Sequence, residues 1–133
     1  MTLIFCIDNN FGLMFNKRRQ SRDSAVLEDI KQYSDNDTIY ISAYSEKLFN
    51  ENGVSYTICD NFNSVDGICF IEDKYSPDLL ALADEVLLYH WGKVYPADVR
   101  FDVDLLNADF TLTETSVFKG TSHNEIKKER YTR

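Results

Sequence analysis

The sequence predicts an α/β fold: a three-layer sandwich with a mostly parallel sheet, two or three flanking helices and a C-terminal antiparallel hairpin. Two continuous apolar runs, residues 3–7 and 67–71, are typical of strands buried on both faces, the usual condition at the centre of a parallel sheet. Segments with helical spacing separate the predicted strands, as crossover connections require. Because 133 residues suit one hydrophobic core, we expect a single domain over residues 1–133.

The first half of the chain contains three predicted strands and two predicted helices. The first strand covers residues 2–7 and runs into a loop over residues 9–23. Asp23 is the expected N-cap of a helix over residues 24–33, because an Asp side chain accepts hydrogen bonds from the first helical turn. The apolar side of this helix consists of Val26, Leu27, Ile30 and Tyr33. After a turn at residues 34–37, the pattern predicts a strand over 38–41, a short helix over 45–50 and a strand over 54–59.

The second half contains two further central strands and the hairpin. A strand is predicted over residues 67–71, and a helix begins at Ser76-Pro77, where proline suits the first helical position. A fifth strand covers residues 85–91. The segments 110–118 and 125–131 have too few apolar residues for a sheet centre, so we expect them to form an antiparallel hairpin at a sheet edge.

The composition excludes several classes of function. The formal net charge of −8 repels nucleic acid and anionic membranes, so only the local basic segment Lys17–Arg22 is a candidate for binding phosphate groups. No apolar run is long enough to span a bilayer and no signal peptide is recognisable, so we expect a cytoplasmic protein without a membrane partner. The three cysteines include no C-x-x-C pair, and both histidines lie far from them in sequence. We therefore expect no metal site.

Several motifs together resemble the dihydrofolate reductase-like fold family. The opening LIFCIDNNFGLMFN is similar to that family's first strand and following loop, with Asp8, Gly12 and Asn16 in suitable places. TIYISAYSEKLF resembles the family's second parallel strand and the helix after it. ADEVLLYHW, VYPADVRFD and the C-terminal FTLTETSVFKGTSHNEIKKERYTR resemble the later strand, its connecting loop and the final hairpin. The resemblance covers nearly the whole chain and implies a short, diverged member of the family.

The resemblance also shows where this chain departs from the family. Family members place a Gly-Arg pair and a Gly-Gly pair at two strand ends, where the backbone approaches the NADPH phosphates. Here these positions are Ser42-Ala43 and Ile71-Glu72-Asp73. Two carboxylates repel a pyrophosphate, and side chains hinder the approach of the backbone. We therefore expect no cofactor and disfavour NADPH.

The resemblance also implies candidate site residues. Asp23 lies close to the position of the family's catalytic acid, although its helix-capping role is the stronger interpretation. Tyr89 replaces the threonine expected beside His90, and it would fill part of a pterin site.

The residues themselves suggest further ligand contacts. Phe11, Phe15 and Trp91 are candidates for stacking on a flat ring or on bases, or else they close the core. Arg18, Arg19 and Arg22 are candidates for anion contacts, or else they belong to a solvated loop and pair with nearby carboxylates. His90 is a weak acid-base candidate, whereas His123 lies in a polar turn where we expect no chemistry. Neither a Ser-His-Asp set nor a Cys-His set is recognisable in the sequence.

Three functional hypotheses follow, and whether the chain is an enzyme stays open. The first is a reassigned dihydrofolate reductase-like domain that is not an NADPH-dependent reductase and binds a small molecule or a protein partner through loop 9–23. The second is an active reductase on an altered pterin-like substrate, with Asp23 as its acid. The third is an RNA-associated protein that uses the basic segment Lys17–Arg22.

Overall fold

The computed structural model describes residues 1–133 and contains ten strands and four helices. The strands are β1 (Thr2–Ile7), β2 (Gly12–Phe15), β3 (Arg18–Arg19), β4 (Ile39–Ile41), β5 (Thr57–Ile58), β6 (Ile68–Phe70), β7 (Glu85–His90), β8 (Val99–Arg100), β9 (Thr111–Phe118) and β10 (Ile126–Thr132). The helices are α1 (Ser24–Ser34), α2 (Glu46–Glu51), α3 (Leu79–Leu82) and α4 (Val103–Asp109), with 3₁₀ turns at Ala43–Ser45 and Phe62–Ser64.

The main sheet has seven strands in the order β5-β4-β6-β1-β7-β10-β9. Strand β1 lies at its centre and pairs in parallel with β6 on one side and β7 on the other. Strand β10 pairs antiparallel with β7, and β9 pairs antiparallel with β10 at the edge. The structure confirms the predicted α/β class, the mostly parallel sheet and the C-terminal hairpin.

Helices cover both faces of the sheet because the central strands are apolar on both faces. On one face, α1 and α2 pack against side chains that include Ile4, Leu87 and Tyr89. On the other face, α3 and α4 pack against side chains that include Leu3 and Phe5. The chain therefore leaves β1 toward one face and leaves β6 toward the opposite face, which makes the gap between these two neighbours a topological switch point.

A second, three-stranded sheet in the order β3-β2-β8 occupies part of the predicted loop 9–23. Sequence analysis treated this segment as irregular, whereas Leu13 and Met14 of β2 are buried in the core. Phe11, Asn16 and Lys17 have positive φ angles of 62°, 51° and 62°, which place the bends at both ends of β2. The segment therefore has a defined backbone conformation and lies at the carboxyl ends of the central strands.

Three other expectations need correction. The third predicted strand shortens to β5, since only Thr57 and Ile58 pair with β4. The predicted helix after Ser76-Pro77 reduces to the four residues of α3, and sequence analysis missed α4 entirely.

No helix of the structure is long and apolar enough to cross a membrane.

Candidate functional site

The crevice at the switch point between β6 and β1 is filled by an ion pair. The Arg19 side chain extends from β3, and its Nε and Nη2 donate to the two carboxylate oxygens of Glu72 at 2.8 and 2.9 Å. Only about 10 Å³ of space remains among the surrounding side chains, which include Cys6, Ile71 and Trp91. Ligands of open α/β sheets usually bind at this place, and here the chain occupies it with its own side chains.

Further contacts fix the Arg19–Glu72 pair. The Tyr44 hydroxyl accepts from the Arg19 backbone N–H at 2.8 Å, and the Arg19 guanidinium lies 4.8 Å from the centre of the Tyr44 ring. Ser45 Oγ donates to Glu72 at 2.8 Å. Burial alone would lower the pKa of Arg19, but the carboxylate of Glu72 outweighs burial and raises it. The pair is thus a bidentate, charge-assisted contact.

A groove of about 540 Å³ lies beside this filled crevice, and we call it the Tyr44 groove. Met14, Lys17 and Val99 of the small sheet line one side, and Tyr44, Asp73 and Asp98 complete it. Asp98 Oδ2 accepts from the Asn16 backbone N–H at 3.0 Å, which connects the β2–β3 bend to the groove wall. The groove combines apolar surface with two exposed carboxylates and one lysine.

A buried polar cluster lies where α1 begins. Asp23 accepts from the backbone N–H groups of Ala25, Thr121, Ser122 and His123 at 2.8 to 3.1 Å. It also faces His123 Nδ1, with Oδ2 at 2.9 Å. Burial alone would raise the pKa of Asp23, but these donors hold it far below its usual range. Asp23 therefore caps α1 and anchors the β9–β10 connection as an ionised group.

The opposite side of the His123 ring completes the cluster. His123 Nε2 lies 3.0 Å from Ser21 Oγ and 3.3 Å from the Tyr95 hydroxyl. The imidazole stacks on Trp91, with ring centres 4.7 Å apart. Gly120 permits this packing, because a Cβ there would lie 2.5 Å from Asp23 Oδ2 and 2.6 Å from the His123 carbonyl oxygen.

Comparison with known proteins identifies the scaffold. No protein-family model matches this sequence, and no curated protein sequence matches it. The structure is similar to that of dihydrofolate reductase from Enterococcus faecalis complexed with NADP(H) and RAB-propyl. The TM-score is 0.67 at 14% sequence identity, over 99% of this chain and 95% of that chain. This chain has a dihydrofolate reductase-like fold. At this identity the likeness concerns the fold alone.

The cofactor that the dihydrofolate reductase-like fold implies is NADPH, and the residues present here do not fit it. Ser42 directly follows β4, and its Oγ donates to Asp73 Oδ1 at 2.6 Å. The Asp73 carboxylate therefore lies at the carboxyl end of β4. Glu72 stands at the end of β6 and is paired with Arg19. A pyrophosphate at these strand ends would meet two carboxylates and a crevice of about 10 Å³. No hydride-transfer step is therefore assigned to this chain.

The dihydrofolate reductase-like fold places the predicted aromatic and histidine site residues mostly inside the protein. Tyr89 has no exposed surface, and its hydroxyl donates to Asp29 Oδ2 at 2.6 Å, so it lines no cleft. His90 contacts Glu129 through Nε2, and burial lowers the pKa of His90. Trp91 is 4% exposed and stacks on His123. Phe11 packs against the core. These residues form no shared binding surface.

The three predicted anion-binding arginines point to different places. Arg19 lies in the filled crevice. Arg22 lies just before α1 and beside the end of α2, where Nη1 is 3.3 Å from Glu51 Oε2. Arg18 is exposed and lines a separate groove of about 330 Å³ together with Phe15, Asn16, Arg19, Gln20, Tyr95 and Pro96. We call this second space the Arg18 groove. Arg18 and Arg19 thus both line this groove, but Arg22 lies elsewhere, so the three arginines form no single surface for an RNA backbone.

Sequence reasoning missed two features of this site. Glu72 was recognised as a barrier to phosphate, but not as the partner of Arg19, which lies 53 positions away. His123 was expected to have no chemical role, yet it is 6% exposed and lies between Asp23 and Ser21. These partners are 100 and 102 positions from His123, so no local sequence pattern could reveal them.

Proposed function

We propose that this chain is a diverged dihydrofolate reductase-like domain that binds a small ligand or a partner segment through residues 9–23, without NADPH-dependent reductase activity. The observation that carries the proposal is the Tyr44 groove, whose volume of about 540 Å³ is typical of small-molecule sites. The 9–23 segment supplies Met14 and Lys17 to its wall. The groove lies at the carboxyl ends of the strands, where ligands of α/β sheets bind.

The chemistry of the groove favours a ligand with an apolar body and a hydrogen-bond-donating or cationic group. Met14, Val99 and Tyr44 offer apolar contacts, and Asp73 and Asp98 offer acceptors. The net charge of −8 also attracts cations over long range. The same two carboxylates would repel an anionic dinucleotide.

Two alternatives have less support. A reductase with Asp23 as its acid would require a carboxylate that reaches the substrate, whereas the side chain of Asp23 has 0% exposure. An RNA-binding role would require Arg18, Arg19 and Arg22 to act together, whereas Arg19 is paired with Glu72.

Titration calorimetry with NADPH and a thermal-shift screen of organic cations and organic phosphates test the proposal. We expect no NADPH binding at micromolar affinity and stabilisation by members of the cation class. Asp73→Asn should weaken that stabilisation, and Asp109→Asn, an exposed change outside the groove, is the matched control. Micromolar NADPH binding together with dihydrofolate turnover would refute the proposal.

A further inference from the structure

We propose that Ser21 is a nucleophile, that His123 is its general base, and that Asp23 positions His123. Ser21 Oγ is 3.0 Å from His123 Nε2, and Asp23 Oδ2 is 2.9 Å from His123 Nδ1. Acyl-transfer enzymes activate serine with this arrangement of nucleophile, base and orienting carboxylate, on several unrelated folds. We call these three residues the Ser21 array.

The surroundings of His123 determine which ring nitrogen is the base. Asp23 is ionised and accepts only, so the facing Nδ1 carries the hydrogen of the neutral ring. Nε2 then has a free lone pair and accepts the hydrogen of the Ser21 hydroxyl. Stacking on Trp91 and the contacts of Asp23 with backbone N–H groups hold the imidazole in this orientation. The array is therefore arranged for proton transfer from Ser21 to His123.

The Arg18 groove adjoins the Ser21 array, because Gln20 and Tyr95 line the groove and also contact the surroundings of Ser21 or His123. Tyr95 lines this groove, and its hydroxyl is 3.3 Å from the same Nε2 atom that Ser21 contacts. Because Tyr95 and Ser21 both approach His123 Nε2, we assign the Tyr95 hydroxyl as the donor that turns toward a developing oxyanion once Ser21 has reacted. Arg18 is exposed in the groove and has no carboxylate within ion-pair distance, which leaves it free for an anionic group. The substrate class is an ester or another activated acyl compound that carries an anion.

Gln20 separates the Arg18 groove from Ser21. Its side chain lines both the groove and the cavity of about 10 Å³ that Ser21 faces. Gln20 Nε2 donates to Asp8 and to the Pro96 carbonyl, but Gln20 Oε1 is buried without a hydrogen-bond partner. Burying this oxygen without a partner costs free energy, which lowers the cost of moving the Gln20 side chain into water. Access to Ser21 therefore depends on displacement of the Gln20 side chain.

The reaction is acyl transfer to Ser21 followed by hydrolysis. Ser21 Oγ attacks the acyl carbon while its proton moves to His123 Nε2, and the alcohol leaves with that proton as the C–O bond breaks. Water then attacks the acyl-serine, gives its proton through His123, and releases the carboxylic acid with Ser21 restored. Water is the only co-reactant, and no oxidation or reduction occurs.

Covalent labelling of the full wild-type chain with a fluorophosphonate tests the proposal directly. Ser21 Oγ displaces fluoride from phosphorus, and its proton leaves through His123. Mass spectrometry of peptides would locate the adduct. We expect Ser21 to react at least about 100-fold faster than the exposed Ser55, as general-base assistance implies. Ser21 labelling that is no faster than Ser55 labelling would overturn the proposal.

Variants then separate the parts of the array. His123→Gln should lower the Ser21 labelling rate to that of Ser55, and Gln20→Ala should raise the rate by uncovering the nucleophile. An unchanged rate in folded His123→Gln protein would refute the role of the base.

Nitrogen NMR of His123 tests the role of Asp23. We expect the wild-type imidazole to carry its hydrogen on Nδ1. In Asp23→Asn we expect that hydrogen to shift toward Nε2. A purely structural role of Asp23 does not predict such a change of tautomer. A wild-type ring protonated on Nε2 would refute the assignment, even if Asp23→Asn does not fold. The Ser21 array and the Tyr44 groove share no residue, so failure here is distinguishable from failure of the proposed ligand binding.

Discussion

Removal of one partner of the Arg19–Glu72 pair should destabilise the fold much more than removal of one partner of an exposed ion pair does. The Arg19 and Glu72 side chains are 21% and 10% exposed, and the contact is bidentate. Glu72→Ala leaves the guanidinium in a crevice with little water and removes the acceptor of Ser45. Loss of one partner of a buried pair costs about 3–5 kcal/mol. Because one-fifth of the Arg19 side chain is exposed, we expect the lower end, about 3 kcal/mol.

A double-mutant cycle measures the interaction itself. Arg19→Ala, Glu72→Ala and the double variant would be unfolded in urea, with the fluorescence of the only tryptophan, Trp91, as the signal. We expect the double variant to be more stable than the sum of the single effects predicts, with a coupling energy of about 1.5–3 kcal/mol.

The exposed Arg22–Glu51 pair is the matched control for this cycle. Its N–O distance is 3.3 Å and its side chains are 66% and 44% exposed, so its own cycle should give about 0.5 kcal/mol or less. A coupling for Arg19 and Glu72 no larger than that of the control would show that the crevice is open to water, and the reasoning would fail.

Three further predictions concern the buried polar groups. Gly120→Ala should destabilise the fold by about 1–3 kcal/mol in urea unfolding, because the new methyl group would overlap Asp23 Oδ2 at 2.5 Å. Tyr89→Phe should cost about 1–2 kcal/mol in the same measurement, because Asp29 loses a buried donor. The pKa values of Asp8 and Asp23 lie below the ordinary value. The stability that these two ionised carboxylates give to the fold should therefore be fully present above about pH 4 and decline as the pH falls further. The midpoint of urea unfolding, measured as a function of pH, checks this. A midpoint that rises on acidification would contradict the sign.

The central sheet was predictable because its strands and the first helix can be recognised from residues that are neighbours in the sequence. Continuous apolar runs identified β1 and β6, and the Asp at position 23 identified the start of α1. The small sheet was not predictable in this way. β2 follows a turn at Asp8, whose carboxylate accepts from the N–H groups of Asn10, Gly12 and Tyr95, and β2 pairs with β8, more than eighty positions later. Short strands stabilised by such distant partners leave no periodic signal in the sequence.

The candidate site was less predictable than the fold. Tyr89 lies near the end of β7 and Trp91 follows that strand, at the edge where ligands of α/β sheets bind. The resemblance implied Tyr89 as a contact beside His90, and the flat ring of Trp91 suggested stacking. Tertiary packing directs both side chains into the core instead. The Ser21 array arises because the β9–β10 connection folds back onto the start of α1, a contact that depends on the whole sheet order.

The side chains present at the strand ends affect more than the charge of the site. A glycine after β6 would leave space and bare N–H groups for an anion, whereas Glu72 supplies a carboxylate that draws Arg19 into that space. The cation that could have attracted phosphate is thereby neutralised inside the chain. Open space beside the filled crevice lies in the Tyr44 groove and the Arg18 groove, which differ in charge. One scaffold can thus fill its switch-point crevice and still present chemically distinct clefts, because the sheet fixes where strand ends lie and side chains decide what binds there.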